Sequence, residues 1–208
     1  MTTLFIDTSS SDVSIAIVKD NNLLVKINEN IPNKHSVYAV KFVDDALKKI
    51  YMEPNDIDNI MVVNGPGSFT GIRIGLTIAK VYGYLLNKDI ITVSSLRAMA
   101  LSSNAKIVIP VIDANHNNYY FGVYDMFDNI IVKDNFNKVD ALVEQIHKYE
   151  DADIVSCDFI DNDKIKARKI DLDIINIVNH YKYELPENPH TVVPNYLKLP
   201  QALEENKW

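Results

Sequence analysis

Three groups of residues in this 208-residue chain could do chemistry. The first is the run Asn64-Gly-Pro-Gly-Ser-Phe-Thr-Gly-Ile-Arg-Ile-Gly75, which follows the short apolar stretch Ile60-Met61-Val62-Val63. Gly65 and Gly67 permit positive φ, Pro66 fixes one φ between them, and Ser68 or Thr70 can cap a following helix. A helix start with unpaired N–H groups at the end of a buried strand is a natural site for an anion or phosphate. The alternative is a tight strand-to-helix connection that packs closely and holds no ligand. The string lacks the Gly-Lys-Ser ending of a Walker A loop, and its glycine spacing is not that of a dinucleotide fingerprint. The second group is Asp7-Thr8-Ser9-Ser10-Ser11. Asp7 could organise a metal-bound nucleotide, or it and the hydroxyls could simply satisfy a polar turn. The third is the set His35, His116, His147, His180 and His190, which contains no i, i+4 pair. They read as surface or capping residues, and no metal site is expected from them.

These groups must be positioned by strands and helices. Leu4-Phe5-Ile6, Val13 to Val18 and Leu23 to Ile27 read as a β-meander, turned at Lys19 to Asn22. From His35 to Ile50 the apolar positions Val37, Val40, Val43, Leu47 and Ile50 recur in steps of three and four, giving a helical stripe. Ile60 to Val63 suits a strand buried on both faces. Residues 70 to 86 form a second helix, apolar on nearly every side, which predicts burial all round. Either a second lobe or a partner protein must then cover its far face. Ile90 to Val93 is a strand, and Ser94-Ser95 can cap a short helix through Leu101. A second meander follows at Ile107 to Ile112, Tyr119 to Tyr124 and Ile130 to Lys133, with Asp128-Asn129 turning its last hairpin. Val139 to Tyr149 is helical, while Ile154 to Cys157 and Ile174 to Val178 read as strands. Pro186, Pro189 and Pro194 suit an extended linker over 181–195, and Tyr196 to Glu205 can end as a short helix. The order is three strands, helix, strand, helix, then a partial echo, which belongs to α/β proteins with two similar lobes.

Composition sets outer limits. At 47% hydrophobic residues the chain can build a real core. A formal net charge of −7 argues against independent binding to a nucleic-acid backbone. Cys157 is the only cysteine, which excludes an intramolecular disulfide and fits a buried, inert thiol in a reducing cytoplasm. The start of the chain has no basic region or long apolar stretch, so no export signal, anchor or membrane span is expected.

The motifs Ile6-Asp7-Thr8-Ser9, His35-Ser36, Gly65 to Gly75, Ile112-Asp113-Ala114 and Pro194-Asn-Tyr-Leu197 resemble, in this order, the TsaB family, also called YeaZ. The glycine string with its internal Ser-Phe-Thr is the most specific of them. The resemblance implies an α/β, two-lobed actin-like ATPase fold (sugar kinase, Hsp70, actin; ribonuclease H-like). One lobe would span 1–103, joined by 191–208, and a smaller one 104–190. It also implies a bacterial cytoplasmic role in making N6-threonylcarbamoyladenosine beside the tRNA anticodon. TsaB proteins there are partners of the transferase TsaD, and the complex engages the ATPase TsaE. TsaD-like proteins carry two metal-binding histidines at i and i+4, and the matching positions here are Ser95 and Met99, so no catalytic residue and no metal is expected. Actin-like ATPases carry a glycine after the hairpin aspartate, whereas this chain reads Asp7-Thr8-Ser9. ATP or ADP would therefore bind weakly or be shared at the TsaD interface, through Asp7, Thr8, Ser9, Gly65 and Gly67.

The expected partner surface lies on the two helices: His35, Tyr38 and Phe42 on the first, and Gly71, Ile72, Arg73, Ile74, Gly75, Ile78 and Tyr82 on the second. Gly71 and Gly75 would permit close approach of the partner, with Ile74, Ile78 and Tyr82 filling the seam. Arg73, early in a helix, reads as a ligand or partner contact or as an exposed arginine. A homodimer through the same helices is compatible with this reading, and tRNA is reached only through the complex. Many family members place Arg and Glu where this chain has Asn115 and Asn118. Two rival readings are an independent sugar-kinase-type phosphotransferase, disfavoured by the missing hairpin glycine, and a metallopeptidase, for which zinc-ligand spacing is lacking.

Overall fold

The computed structural model describes residues 1–127 and 129–198. Strand alternation explains its layering, because successive side chains on a strand leave opposite faces. Leu4, Ile6, Val13, Ile15, Ile17, Ile60 and Val62 enter one core, while Phe5, Ala16, Val18, Met61 and Val63 enter another. The first sheet is thus buried on both sides, which is why its strands read as continuous apolar runs.

The elements are β1 (Thr2–Asp7), β2 (Asp12–Lys19), β3 (Asn22–Asn30), α1 (His35–Lys49), β4 (Asn59–Gly65), α2 (Phe69–Leu86), β5 (Ile90–Ser94) and α3 (Ser95–Ala100), then β6 (Ile107–Asp113), β7 (Asn118–Asp125), β8 (Ile130–Lys138), α4 (Val139–Lys148), β9 (Asp153–Ser156), β10 (Arg168–Lys169) and α5 (Ile174–Tyr181). The sheet orders β3-β2-β1-β4-β5 and β8-β7-β6-β9-β10 are the same arrangement twice. In each, the first three strands are antiparallel and the last two join in parallel. This is the duplicated, two-lobed actin-like architecture. Helices α1 and α2 cover the outer face of the first sheet, and α4 covers the outer face of the second through the fully buried Leu142. Between the sheets lie α3 and α5, packed on Phe5, Val63, Val93, Val108 and Val155.

The structure revises several sequence expectations. Ile174 to Val178 is not a strand: Asp173 caps a helix by accepting from Asn176 N at 3.0 Å, and the buried positions 174, 177, 178 and 181 have helical spacing. The polar stretch before it holds the two-residue strand β10. In α1 the buried set is His35, Ala39, Val43, Ala46 and Leu47, so Val37 and Val40 lie outside the core stripe. Helix α2 is not buried all round. Of the turn expected at Asp128-Asn129, Asp128 lies outside the described residues, and Asn129 is held by the Asp125 carboxylate through its N–H at 2.9 Å. Tyr196 to Lys198 are not helical, and the rest of the terminal helix expected there lies outside the described residues.

The proline-rich segment after α5 returns to the first lobe. Glu187 exchanges both backbone hydrogen bonds with Ile90, Val192 is fully buried beside Leu4 and Ile60, and Asn195 N donates to Asn64 O at 2.8 Å. The connection back therefore starts near 187 and ends beside the glycine loop.

Candidate functional site

Two regions gather the residues singled out above: the hairpin between β1 and β2, and the outward face of α2. At the hairpin, the glycine loop packs directly on Thr8 and Ser9. Gly67 has φ of +155°, and a Cβ there would lie 2.5 Å from Ser9 O. A Cβ on Gly71 would come within 2.0 Å of Thr8 O, and one on Gly75 within 2.5 Å of Thr8 Oγ1. Ser68 N donates to Ser9 O at 2.8 Å, and Thr8 Oγ1 donates to Gly71 O at 2.7 Å. Ser68 caps α2 by accepting from Gly71 N at 3.2 Å. The glycines thus seat the helix against this chain's own hairpin.

The hairpin's remaining groups are also engaged. Asp7 is buried and accepts from Ser9 N at 2.8 Å. Burial raises its pKa above the ordinary carboxylate range, the Ser9 hydrogen bonds oppose this, and Asp158 and Asp12 add to the rise. His35 is buried and lies 2.9 Å through Nε2 from Ser10 O, a carbonyl that can only accept, so the proton sits on Nε2. Asp158, beyond β9 in the second lobe, accepts from Ser11 N at 3.1 Å and from Ser11 Oγ. Burial, reinforced by Asp7, Asp158 and Asp12, pushes the Cys157 thiol well above its usual pKa. Ser95 Oγ reaches Ser9 Oγ at 3.2 Å, and Met99 is buried between the sheets. Among the described residues, no group of three His, Cys, Asp or Glu side chains is placed to hold a metal ion.

A cleft of about 630 Å³ opens between the lobes in front of the hairpin. Its floor is Ser9 to Ser11 and Ser68, and its far wall carries Asp113, Asn115 and Tyr120. Asn115, His116 and Asn117 all have φ between 54° and 64°, a left-handed run that closes the β6–β7 turn. Asn115 N donates to Asp113 Oδ1 at 2.7 Å, and Asn118 Nδ2 donates to the carbonyls of Asn115 and His116, so both asparagines hold the turn.

On α2, Gly71, Ile72, Gly75 and Ile78 face inward and are buried, as is His35 on α1. Tyr38 and Phe42 stack at 5.8 Å between ring centroids, and these two, Ile74 and Tyr82 are half-buried. The most exposed apolar side chains are Val81 (48% exposed), Tyr84 (66%) and Leu85 (72%) towards the end of α2 and Phe69 (47%) at its start, with Val37 (67%) and Val40 (56%) on α1. Pro189 and His190 join Val81, Tyr84 and Leu85 around a shallow apolar groove. Arg73 is exposed, its guanidinium 3.8 Å from the Phe69 ring centre and its Nε donating to Tyr196 OH at 2.8 Å. Sequence reasoning did not single out Asp158, Val81, Tyr84, Leu85 or Tyr196 for these places. Of these, only the apolar α2 positions carried a signal, in the excess hydrophobicity of their helix.

Among the described residues no helix is long and apolar enough to cross a membrane. Residues 28–166 match the family model described as TsaD, tRNA N6-adenosine threonylcarbamoyltransferase. The chain is 28% identical to the tRNA threonylcarbamoyladenosine biosynthesis protein TsaB of Bacillus subtilis, over 100% of this chain and 98% of that protein. The TsaB of Escherichia coli is 32% identical over 62% of this chain and 57% of its own length. Two solved structures share the fold. YeaZ from Pseudomonas aeruginosa superposes with a TM-score of 0.72 at 19% identity, covering 94% of this chain and 99% of that one. A protein described as similar to peptidase YEAZ from Pseudomonas aeruginosa superposes with 0.77 at 20%, covering 95% and 99%. The chain therefore belongs to the TsaB (YeaZ) family, within the wider family that the TsaD model describes.

Proposed function

We propose that this chain acts in the biosynthesis of N6-threonylcarbamoyladenosine in tRNA as a non-catalytic partner of TsaD in the cytoplasm. The observation that carries the reading is the outward face of α2 and α1. Val81, Tyr84, Leu85, Val37 and Val40 expose apolar surface that the second lobe does not cover, and such surface marks an interface. The buried Ser95 and Met99, where TsaD-like proteins place metal-binding histidines, support a role without chemistry of its own. In this reading TsaE and tRNA are engaged through the complex, and ATP or ADP is bound weakly or shared at the TsaD contact. The chain alone pairs with itself through the same face.

The test is to mix the purified chain with TsaD from the same organism and determine the complex mass by light scattering. Leu85→Glu and Tyr84→Glu leave the core untouched, because both side chains point to solvent. Each is expected to weaken the complex at least about 30-fold, the equivalent of ~2 kcal/mol at an interface hot spot. A wild-type chain that forms no complex would sink the reading and direct attention to ATP turnover by the chain alone. A complex indifferent to both charges would move the contact off this face.

A further inference from the structure

We infer that Asp158 is a built-in ligand of the β1–β2 hairpin, occupying the position an anion would take and making the cleft reject phosphate-bearing ligands. The inference stands independently of the partnership with TsaD. Three hairpin amides donate to side-chain oxygens. Ser9 N donates to Asp7 Oδ1 at 2.8 Å, Ser11 N to Asp158 Oδ1 at 3.1 Å, and Asp12 N to Ser10 Oγ at 3.2 Å. Of the three acceptors, Asp158 alone crosses from the other lobe, 147 residues along the chain. It takes both donors of Ser11, the N–H and the hydroxyl, as a phosphate oxygen would. Its backbone is fixed in turn, since Asp158 N donates to Ser156 Oγ at 3.3 Å at the end of β9.

Charge reinforces the occupancy. Asp7 and Asp12 face Asp158 from the first lobe, and Asp113 lines the same cleft. Lys169 is spent on Asp12 at 3.6 Å, and Asn30 Nδ2 donates to the same Asp12 carboxylate at 2.5 Å. A polyphosphate entering the cleft would displace a charge-assisted contact and meet the carboxylates of Asp158 and Asp113, with Lys198 the one lysine on the cleft lining among the described residues. Asp158 thus sets what the cleft refuses, and in doing so ties the hairpin to the second lobe.

The experiment uses the full chain alone, with ATP and inorganic pyrophosphate as probes, each with and without Mg²⁺, followed by calorimetry. Wild type is expected to show no saturable binding at millimolar ligand, and Asp158→Ala to bind at least about tenfold more tightly than wild type. Asp158→Asn, which keeps the shape and loses the charge, should fall between them and carries the test where the alanine variant does not fold. Hydrogen exchange gives a ligand-free readout, with the Ser11 amide expected to lose protection in Asp158→Ala. Equal binding by wild type and variants, including binding by none of them, overturns the inference, as does unchanged exchange at Ser11.

Discussion

Replacing Gly71 by alanine separates the two uses a glycine on α2 could have. If the glycine serves a partner's approach, Gly71→Ala should leave the isolated chain as stable as before or slightly more so, because alanine favours the helix by up to ~1 kcal/mol. If it serves the hairpin, the new methyl meets Thr8 O at 2.0 Å. That oxygen is backbone at the end of β1, where Asp7 pairs with Ser14 on one side and Ile6 with Val62 on the other. It cannot rotate away as a side chain would. Overpacking of this kind costs typically 1–3 kcal/mol, and a contact against paired backbone sits at the upper end. Setting ~3 kcal/mol against the ~1 kcal/mol helix gain leaves a net loss of about 2 kcal/mol. For a domain of this size that corresponds to a fall in Tm of roughly 4–8 °C.

The assay is urea unfolding followed by circular dichroism at fixed temperature, with the slope compared between wild type and variant to confirm that only stability has changed. Thr8→Val is the companion variant, since it removes the 2.7 Å hydrogen bond to Gly71 O and should cost about 1 kcal/mol. Gly71→Ala with a midpoint at or above wild type would refute the packing argument and return the glycine to the partner.

Two further outcomes follow from buried acids. Asp7 has a raised pKa, so the folded chain holds its proton to higher pH than the unfolded one. Its contribution is therefore full below the ordinary aspartate range and is lost as pH rises through the folded value. Asp7→Asn should then stabilise the chain at pH 7 while keeping the acceptor for Ser9 N, and the gain should vanish near pH 3; a gain that is constant with pH refutes it. Cys157 is half-buried, and its thiol, raised by desolvation beside three carboxylates, should react with a thiol reagent at pH 8 far more slowly in the folded chain than in urea; equal rates would contradict the raised pKa.

Much of the architecture could be read from pattern, because the strands at the centre of each sheet are apolar on both faces and their turns are polar. Asp20 and Asn21 at φ of 49° and 66° close the first hairpin where the sequence Lys19-Asp-Asn-Asn22 placed it. Ile174-Ile-Asn-Ile-Val178 deceived because β-branched residues dominate a short run, and only the later Tyr181 and the Asp173 cap reveal the helical period. The α1 stripe was misphased for a related reason. Its core face is built partly from Ala39, Ala46 and His35, which hydropathy weighs less than the exposed Val37 and Val40. The site itself was half legible. Thr8, Ser9 and Gly67 read as possible nucleotide contacts and Gly71 as a partner contact, whereas the structure packs Gly71 on Thr8 and Gly67 on Ser9, and the contacts that decide their use join residues far apart in sequence. Neither Asp158 on Ser11 nor Tyr196 on Arg73 leaves any local periodicity to find.

Those long-range contacts bear on the proposed role. A hairpin or a helix start that binds phosphate does so through backbone N–H groups left free for it. Here Ser9 N, Ser11 N and Asp12 N are donated to side chains of the same chain, Ser68 N to Ser9 O, and Gly71 N to the Ser68 cap. Helix α2 turns its glycines towards Thr8 and its Val81, Tyr84 and Leu85 towards solvent. The same helix that an ATPase would use to present a ligand site is thereby committed, on its inner face, to holding the hairpin still. Its outer face is the side left to act on another molecule. A charge placed at Leu85 and a methyl placed at Gly71 should consequently have opposite signatures: the first breaking association at unchanged stability, the second lowering stability while the outer face stays chemically intact.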